Sequence, residues 1–109
     1  MTDPILHGDS VLAEIVRRLV ETFHPECIYL FGSKARGEGG QDSDYDLMVL
    51  VNDGDTEIRR STKAYEALRG TGVAADVLVW TRRSFESRLH LVTSLPATIK
   101  REGILLYAA

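Results

Sequence analysis

Apolar and polar positions follow two rhythms along this chain, and each rhythm predicts a different element. Val11, Leu12, Ile15, Val16, Leu19, Val20 and Phe23 recur three and four apart, the repeat that lines one stripe of a helix. Glu14, Arg17, Arg18 and Glu21 fall off the stripe, so its apolar side is expected to pack on a sheet. Asp9 or Ser10 can cap the free N–H groups at the start of this helix, and Pro25 ends it by pushing His24 away from helical angles. Cys27 to Phe31 and Tyr45 to Val51 are short apolar runs bounded by turn residues, the pattern of buried strands.

Farther along, Asn52-Asp53-Gly54-Asp55 forms a turn cluster. A helix is expected from about Thr56 to Leu68, with Ile58, Ala64, Tyr65 and Leu68 facing inward and Arg59, Arg60 and Lys63 on the solvated side. Arg69-Gly70-Thr71-Gly72 breaks it. Val73 to Trp80 reads as a buried strand interrupted by one carboxylate, Asp76, which needs a partner if it is buried. Thr81 or Ser84 can cap a helix reaching about Leu91, with Phe85, Leu89 and Val92 inward. Thr93-Ser94 precedes a short helix with Pro96 in its first turn; Gly103 ends it, and Ile104 to Tyr107 forms a last strand or an extended tail. The expected fold is α/β (α+β), a small mixed β-sheet with helices packed on it. With 109 residues and no repeats or linker, the chain is expected to form one domain over residues 1–109.

The chemistry concentrates between Ile28 and Val51. The first of these strands runs into Gly32-Ser33-Lys34-Ala35-Arg36-Gly37, a glycine-rich loop follows, and Ser43-Asp44-Tyr45-Asp46-Leu47 opens the next strand. Ala35-Arg36 offers the start of a short helix, whose N–H groups would favour an anion near the turn. Residues two apart in a strand share a face, so Asp44 and Asp46 aim at one point and Tyr45 turns away. Two carboxylates that close repel unless a cation lies between them, and hard divalent ions such as Mg²⁺ prefer oxygen ligands. Gly32 permits close backbone approach and Ser33 adds a hydroxyl and an N–H, groups suited to hold a phosphate.

This stretch resembles the signature of the nucleotidyltransferase superfamily that includes DNA polymerase beta. Within it, the likeness is to the minimal nucleotidyltransferases, small proteins with Gly-Ser-x-Ala-Arg-Gly followed by Ser-Asp-x-Asp-Leu. Every fixed position is present, at Gly32, Ser33, Ala35, Arg36, Gly37, Ser43, Asp44, Asp46 and Leu47. The resemblance implies the polymerase beta-like nucleotidyltransferase palm and a metal-dependent transfer of AMP from ATP to a hydroxyl. It implies that Asp44 and Asp46 bind two Mg²⁺ ions, about 3.5–4 Å apart in such sites. Asp76 stands for the acidic residue that the superfamily places on a later strand, near the attacking hydroxyl. Gly32 and Ser33 would grip the triphosphate. Arg36 would neutralise charge there or fix the loop through a salt bridge, and Lys34 occupies a variable position.

Members of this kind pair with a small all-helical HEPN ribonuclease toxin and act as antitoxin by transferring AMP to a toxin tyrosine. Larger relatives carry an extra helical domain that shapes the acceptor site, for which 109 residues leave no room, so the resemblance makes the toxin the expected acceptor. The alternatives are an antitoxin that only blocks its toxin sterically and a stand-alone enzyme for a small hydroxylated molecule.

Composition narrows these readings. A formal net charge of −3 gives no broad basic footprint, so strong binding to a nucleic-acid polymer is not expected, whereas one nucleotide held through metal is compatible. The single cysteine, Cys27, excludes an intrachain disulfide and is expected to be a packing residue. His7, His24 and His90 do not cluster, no Cys/His spacing suggests zinc, and no Walker-type Gly-Lys-Ser/Thr is present. The start has no targeting pattern and no apolar run spans a membrane, so a cytoplasmic protein is expected.

Overall fold

Asp9 accepts the Leu12 N–H on Oδ1 at 2.9 Å, which caps α1 (Ser10–Phe23). The computed structural model describes residues 8–38, 44–53 and 60–109. Helix α1 buries Leu12, Ile15, Val16, Leu19 and Phe23. Val11, expected on the same stripe, is exposed. The helix ends where His24 adopts left-handed angles (φ 47°) and its N–H returns to the Val20 carbonyl at 2.9 Å.

The remaining elements follow in chain order: β1 (Cys27–Phe31), α2 (Gly32–Ala35), β2 (Tyr45–Val51), α3 (Arg60–Ala67), β3 (Ala75–Thr81), α4 (Arg82–Glu86), α5 (Leu95–Glu102) and β4 (Ile104–Ala108). They form a four-stranded mixed sheet in the order β3-β2-β1-β4. Strand β1 is antiparallel to β2 and β4, whereas β2 and β3 run parallel, as a crossover through α3 permits. This is the mixed sheet with packed helices that the sequence pattern predicts.

Alternation in the strands supplies two apolar faces. Ile28, Leu30, Leu47, Val49, Val51, Val79 and Leu106 face α1 and Ala64 of α3. Tyr29, Met48 and Leu50 face Phe85 of α4 and Ile99 of α5, with Leu78 and Trp80 packed alongside. The Tyr29 and Phe85 rings stack at 5.9 Å between centroids. A bulge between Ile28 and Tyr29 shifts the β4 register, so Tyr107 pairs with Ile28 but Leu105 with Tyr29. Both helices on this second face carry local caps: Thr81 Oγ1 accepts the Ser84 N–H at 3.1 Å and Ser94 Oγ accepts the Ala97 N–H at 3.2 Å. Pro96 sits in the first turn of α5, where its missing N–H costs nothing.

Several sequence expectations require correction. The strand expected over Val73 to Trp80 is β3, an edge strand that starts at Ala75 and is only partly buried; Asp76 is exposed. The apolar run suggested burial on both faces, but an edge strand has one sheet neighbour. Tyr65 is 73 % exposed, because Ala64, Ala67 and Leu68 carry the inward stripe of α3. Lys63 is half-buried with its ammonium 5.9 Å from the Phe23 ring centroid, not on a fully solvated side. Helix α4 stops at Glu86, where the Ser87 hydroxyl donates back to the Ser84 carbonyl at 2.9 Å, and Val92 beyond it is 71 % exposed. Gly54, Asp55, Ile58 and Arg59 lie outside the described residues. Among the described residues, no helix is long and apolar enough to cross a membrane.

The burial pattern predicts opposite outcomes for two truncations. Leu19→Ala, at a position with no exposure, should lower unfolding free energy in urea by about 2–5 kcal/mol. Val92→Ala should change it by less than about 0.5 kcal/mol.

Candidate active site

The end of β1 and the start of β2 are forced together by antiparallel pairing, which sets Phe31 directly opposite Asp46. The chain must then leave β1 without colliding with that carboxylate. Gly32 does so at φ +77°; a Cβ there would overlap Asp46 Oδ2 and lie 3.1 Å from its Cγ. An L side chain is excluded twice, by the backbone angle and by the space. Helix α2 therefore begins at Gly32, not at Ala35-Arg36 as the sequence suggests. Its turn closes through Arg36 N–H to the Gly32 carbonyl at 3.2 Å and Glu38 N–H to the Ser33 carbonyl at 2.9 Å.

Parallel pairing of β2 with β3 sets Asp46 opposite Asp76. Met48 and Leu50 of β2, and Leu78 and Trp80 of β3, belong to the second apolar face. By alternation Asp46 and Asp76 share that face, beyond the end of its apolar cluster. Asp44 precedes β2 with the same parity and is exposed. Partial burial, then Asp76, then Asp44 push the Asp46 carboxyl above its ordinary value of 3.8, while Arg36 pulls it down. Arg36 donates from Nε to Glu38 Oε1 at 2.8 Å. That bond, with the charges of Glu38, Glu102 and Asp46, raises the guanidinium further above its usual range. Arg36 thus ties the loop end and acts on Asp46 through space.

Tyr45 points to the opposite face, as the spacing predicts. Its hydroxyl donates to Asp9 Oδ2 at 3.0 Å, and Lys34 Nζ lies 4.5 Å from its ring centroid. Sequence reasoning had Asp9 as a cap only and drew nothing from Lys34. Asp53, in the turn cluster after β2, accepts the Arg83 N–H at 2.7 Å at the other end of that strand and so serves α4. Asp42 and Ser43 lie outside the described residues. Among the described residues, no three Asp, Glu, His or Cys side chains are gathered closely enough to hold a metal ion by themselves. The oxygen donors present suit a hard cation that completes its shell with phosphate and water.

A cavity of about 250 Å³ lies elsewhere, lined by Cys27, Tyr29, Phe85 and Lys100 at the opposite end of the sheet. Its charges are already engaged: Arg82 pairs with Glu26 and Glu86, and Lys100 donates to the Tyr29 hydroxyl at 3.2 Å. Burial raises the Cys27 thiol pKa, with Glu26 adding to it, which fits a packing residue. This cleft lacks the convergent carboxylates of the Gly32 end.

Residues 10–106 match the nucleotidyltransferase domain family. No curated protein matches the chain. Among solved structures, a Sulfolobus solfataricus protein assigned as a nucleotidyltransferase superposes with a TM-score of 0.63 at 22 % identity, covering 91 % of this chain and 78 % of that one. A toxin–antitoxin structure with AMP-PNP gives 0.63 at 23 % identity, covering 89 % and 73 %. The MntA–HpeT toxin–antitoxin, as a tyrosine-to-alanine variant, gives 0.60 at 23 % identity, covering 90 % and 72 %. At these identities the structures share the fold.

The geometry makes two predictions. Gly32→Ala should lower the melting temperature, and adding Asp46→Ala should restore part of the loss by removing the overlapping carboxylate; thermal unfolding of the double-mutant cycle reads this. Because the folded pKa of Asp46 is raised, its bound proton favours the folded state; that contribution is fully present below the unfolded value near 3.8 and is lost as pH rises through the folded value. Asp46→Asn should therefore raise the melting temperature at neutral pH in chelator, and the gain should disappear below that value.

Proposed function

The chain belongs to the nucleotidyltransferase domain family, and on that premise we propose that it transfers AMP from ATP to a tyrosine hydroxyl of a partner toxin, acting as its antitoxin. The observation that carries the reading is the Asp46 carboxylate, pressed against the Gly32 turn and set in register with Asp76. A phosphate-gripping turn and a cluster of repelling carboxylates beside it are two parts that nucleotidyl transfer brings together. The match over residues 10–106 supports reading residues 1–109 as one nucleotidyltransferase domain.

In this reading Asp44 and Asp46 hold Mg²⁺, two ions in the full site, with Asp76 adding a ligand on the side of the attacking hydroxyl. The metal, when bound, neutralises phosphate charge and acidifies that hydroxyl. The remaining work belongs to the chain. Gly32 and Ser33 present backbone N–H groups and a hydroxyl to the triphosphate. Arg36 adds positive charge from the end of the same turn. Asp76 orients the acceptor hydroxyl and accepts its proton. The hydroxyl oxygen forms a bond to the α-phosphorus, the bond from that phosphorus to the bridging oxygen breaks, and pyrophosphate leaves.

The toxin–antitoxin structures support a protein partner, and AMP-PNP in one of them supports an adenine nucleotide as donor. Another MntA–HpeT structure carries two aspartates exchanged for glutamate two positions apart, the spacing of Asp44 and Asp46 here. The tyrosine exchanged in a further one is in keeping with a tyrosine acceptor. We read the partner as a small all-helical HEPN toxin and the site of action as the cytoplasm, where ATP and the toxin's RNA substrates are found. The net charge of −3 disfavours a nucleic-acid polymer as acceptor.

Incubation with ATP, Mg²⁺ and a co-encoded helical toxin, followed by intact-mass spectrometry, should show AMP on a toxin tyrosine. Asp44→Asn combined with Asp46→Asn should abolish transfer and leave the fold intact. Asp76→Asn should lower turnover about a hundred-fold or more with little change in ATP affinity. An unmodified toxin, neutralised equally by the wild type and by the double variant, would leave steric blocking as the function.

A further inference from the structure

The two variable positions of the motif, Lys34 in the turn and Tyr45 between the aspartates, touch each other on the face opposite the carboxylates. Lys34 Nζ lies 4.5 Å from the Tyr45 ring centroid, within the range of a cation–π contact. The Tyr45 hydroxyl donates to Asp9 Oδ2 at 3.0 Å. The other Asp9 oxygen accepts the Leu12 N–H at 2.9 Å, and its carbonyl accepts the Ala13 N–H at 3.0 Å. Asp9 is therefore held by α1, whose buried stripe anchors it to the sheet. Tyr45 is also held at its backbone, where its N–H donates to the Ala74 carbonyl at 3.2 Å, just ahead of β3.

We infer that Asp9, Tyr45 and Lys34 form a positioning clamp that sets the Gly32–Ala35 turn and the Asp44/Asp46 pair relative to each other. The inference rests on the proposed nucleotide site and concerns what holds its two halves in place. Asp44 and Asp46 are the chain neighbours of Tyr45, so any roll of the strand about its axis that moves the ring swings both carboxylates the other way. Ser33 is the chain neighbour of Lys34, so a shift of the lysine stem shifts the turn. On the site side the halves meet at the Phe31–Asp46 pairing, where Gly32 abuts the carboxylate. On the reverse face the tyrosine adds a side-chain contact, joining turn, strand and α1 through a single ring. Lys34 lies over the face of the ring and Asp9 accepts from its hydroxyl, so two groups of opposite charge hold it. None of the three touches the proposed reacting atoms; they act through Ser33, Asp44 and Asp46. Misplacement of about 1 Å between a phosphate grip and its metal ligands can cost a hundred-fold in rate, so a weak contact on the reverse face can matter to chemistry more than to stability.

The test compares Tyr45→Leu, which removes the ring but keeps apolar bulk, with Lys34→Met, Tyr45→Phe and Asp9→Asn. Asparagine still caps the helix through its one amide oxygen, and its amide N–H keeps the link to Tyr45 by donating to the hydroxyl oxygen. Three readouts are taken on each variant: melting temperature in chelator, kcat and the Mg²⁺ midpoint for AMP transfer, and affinity for AMP-PNP with Mg²⁺ by calorimetry. Tyr45→Leu and Lys34→Met should lower kcat about ten- to hundred-fold and raise the Mg²⁺ midpoint, and Tyr45→Leu should weaken AMP-PNP binding. Tyr45→Phe, which keeps the ring over Lys34, should recover most of the kcat, and Asp9→Asn should stay close to wild type. Lower melting temperatures with unchanged kcat, midpoint and affinity would make the cluster merely structural and overturn the inference. A wild type that binds AMP-PNP but transfers nothing would overturn the proposed activity alone, and the affinity series would still decide the clamp.

Discussion

The close approach of Gly32 to the Asp46 carboxylate is the constraint on which this end of the molecule depends. Pairing of β1 with β2 places Phe31 opposite Asp46, and the chain has to turn immediately afterwards. With φ at +77° and no room for a Cβ, that turn accepts glycine alone. A backbone that tight brings successive N–H groups of the turn beside a carboxylate, an arrangement that disfavours an anion unless a cation lies between them. The turn and the aspartates therefore make chemical sense together when the ligand brings both phosphate and metal, as a nucleotide with Mg²⁺ does.

Electrostatics points the same way. Asp46 stands near Asp76 and Asp44, and its carboxyl is pushed up by partial burial and by both neighbours. Arg36 offsets part of this from across the turn while remaining bonded to Glu38. A region of like charges is a cost to the fold, held here by the two apolar faces that continue from the same strands. The cleft near Cys27 shows why cavity size is a poor guide in this chain. Its two acids and two bases balance in number, with Arg82 paired to both glutamates and Lys100 held by Tyr29, so it lacks the unbalanced charge that would draw a ligand. The open, acidic end of the sheet retains such an imbalance.

Much of the fold was legible in the residues. Cys27 to Phe31 and Tyr45 to Val51 were readable as strands with their observed limits, because short apolar runs between turn residues leave little choice. Asp9 and Thr81 were readable as caps, each beside one alternative, since a side-chain oxygen ahead of an apolar stripe satisfies N–H groups that nothing else reaches. Errors came where apolar content was taken for burial. Tyr65 and Val92 are apolar enough to be placed inward by composition, yet the first lies off the inward stripe of α3 and the second lies beyond the early stop of α4.

By itself, then, the sequence determined the limits of β1 and β2, the course of α1, the parity that separates Tyr45 from Asp44 and Asp46, and the motif that identifies the family. Those properties are local, set by spacing of two or of three to four residues and by the angles glycine and proline allow. Only the tertiary structure decided that β3 is an edge strand, that Asp76 stands exposed opposite Asp46, and that Lys34 and Asp9 meet on the Tyr45 ring. Each of these depends on residues that the local sequence pattern does not bring together. Periodicity tells which face a side chain takes, but the identity of its neighbour across the sheet follows from strand order and register, which are set by the packing of the whole chain.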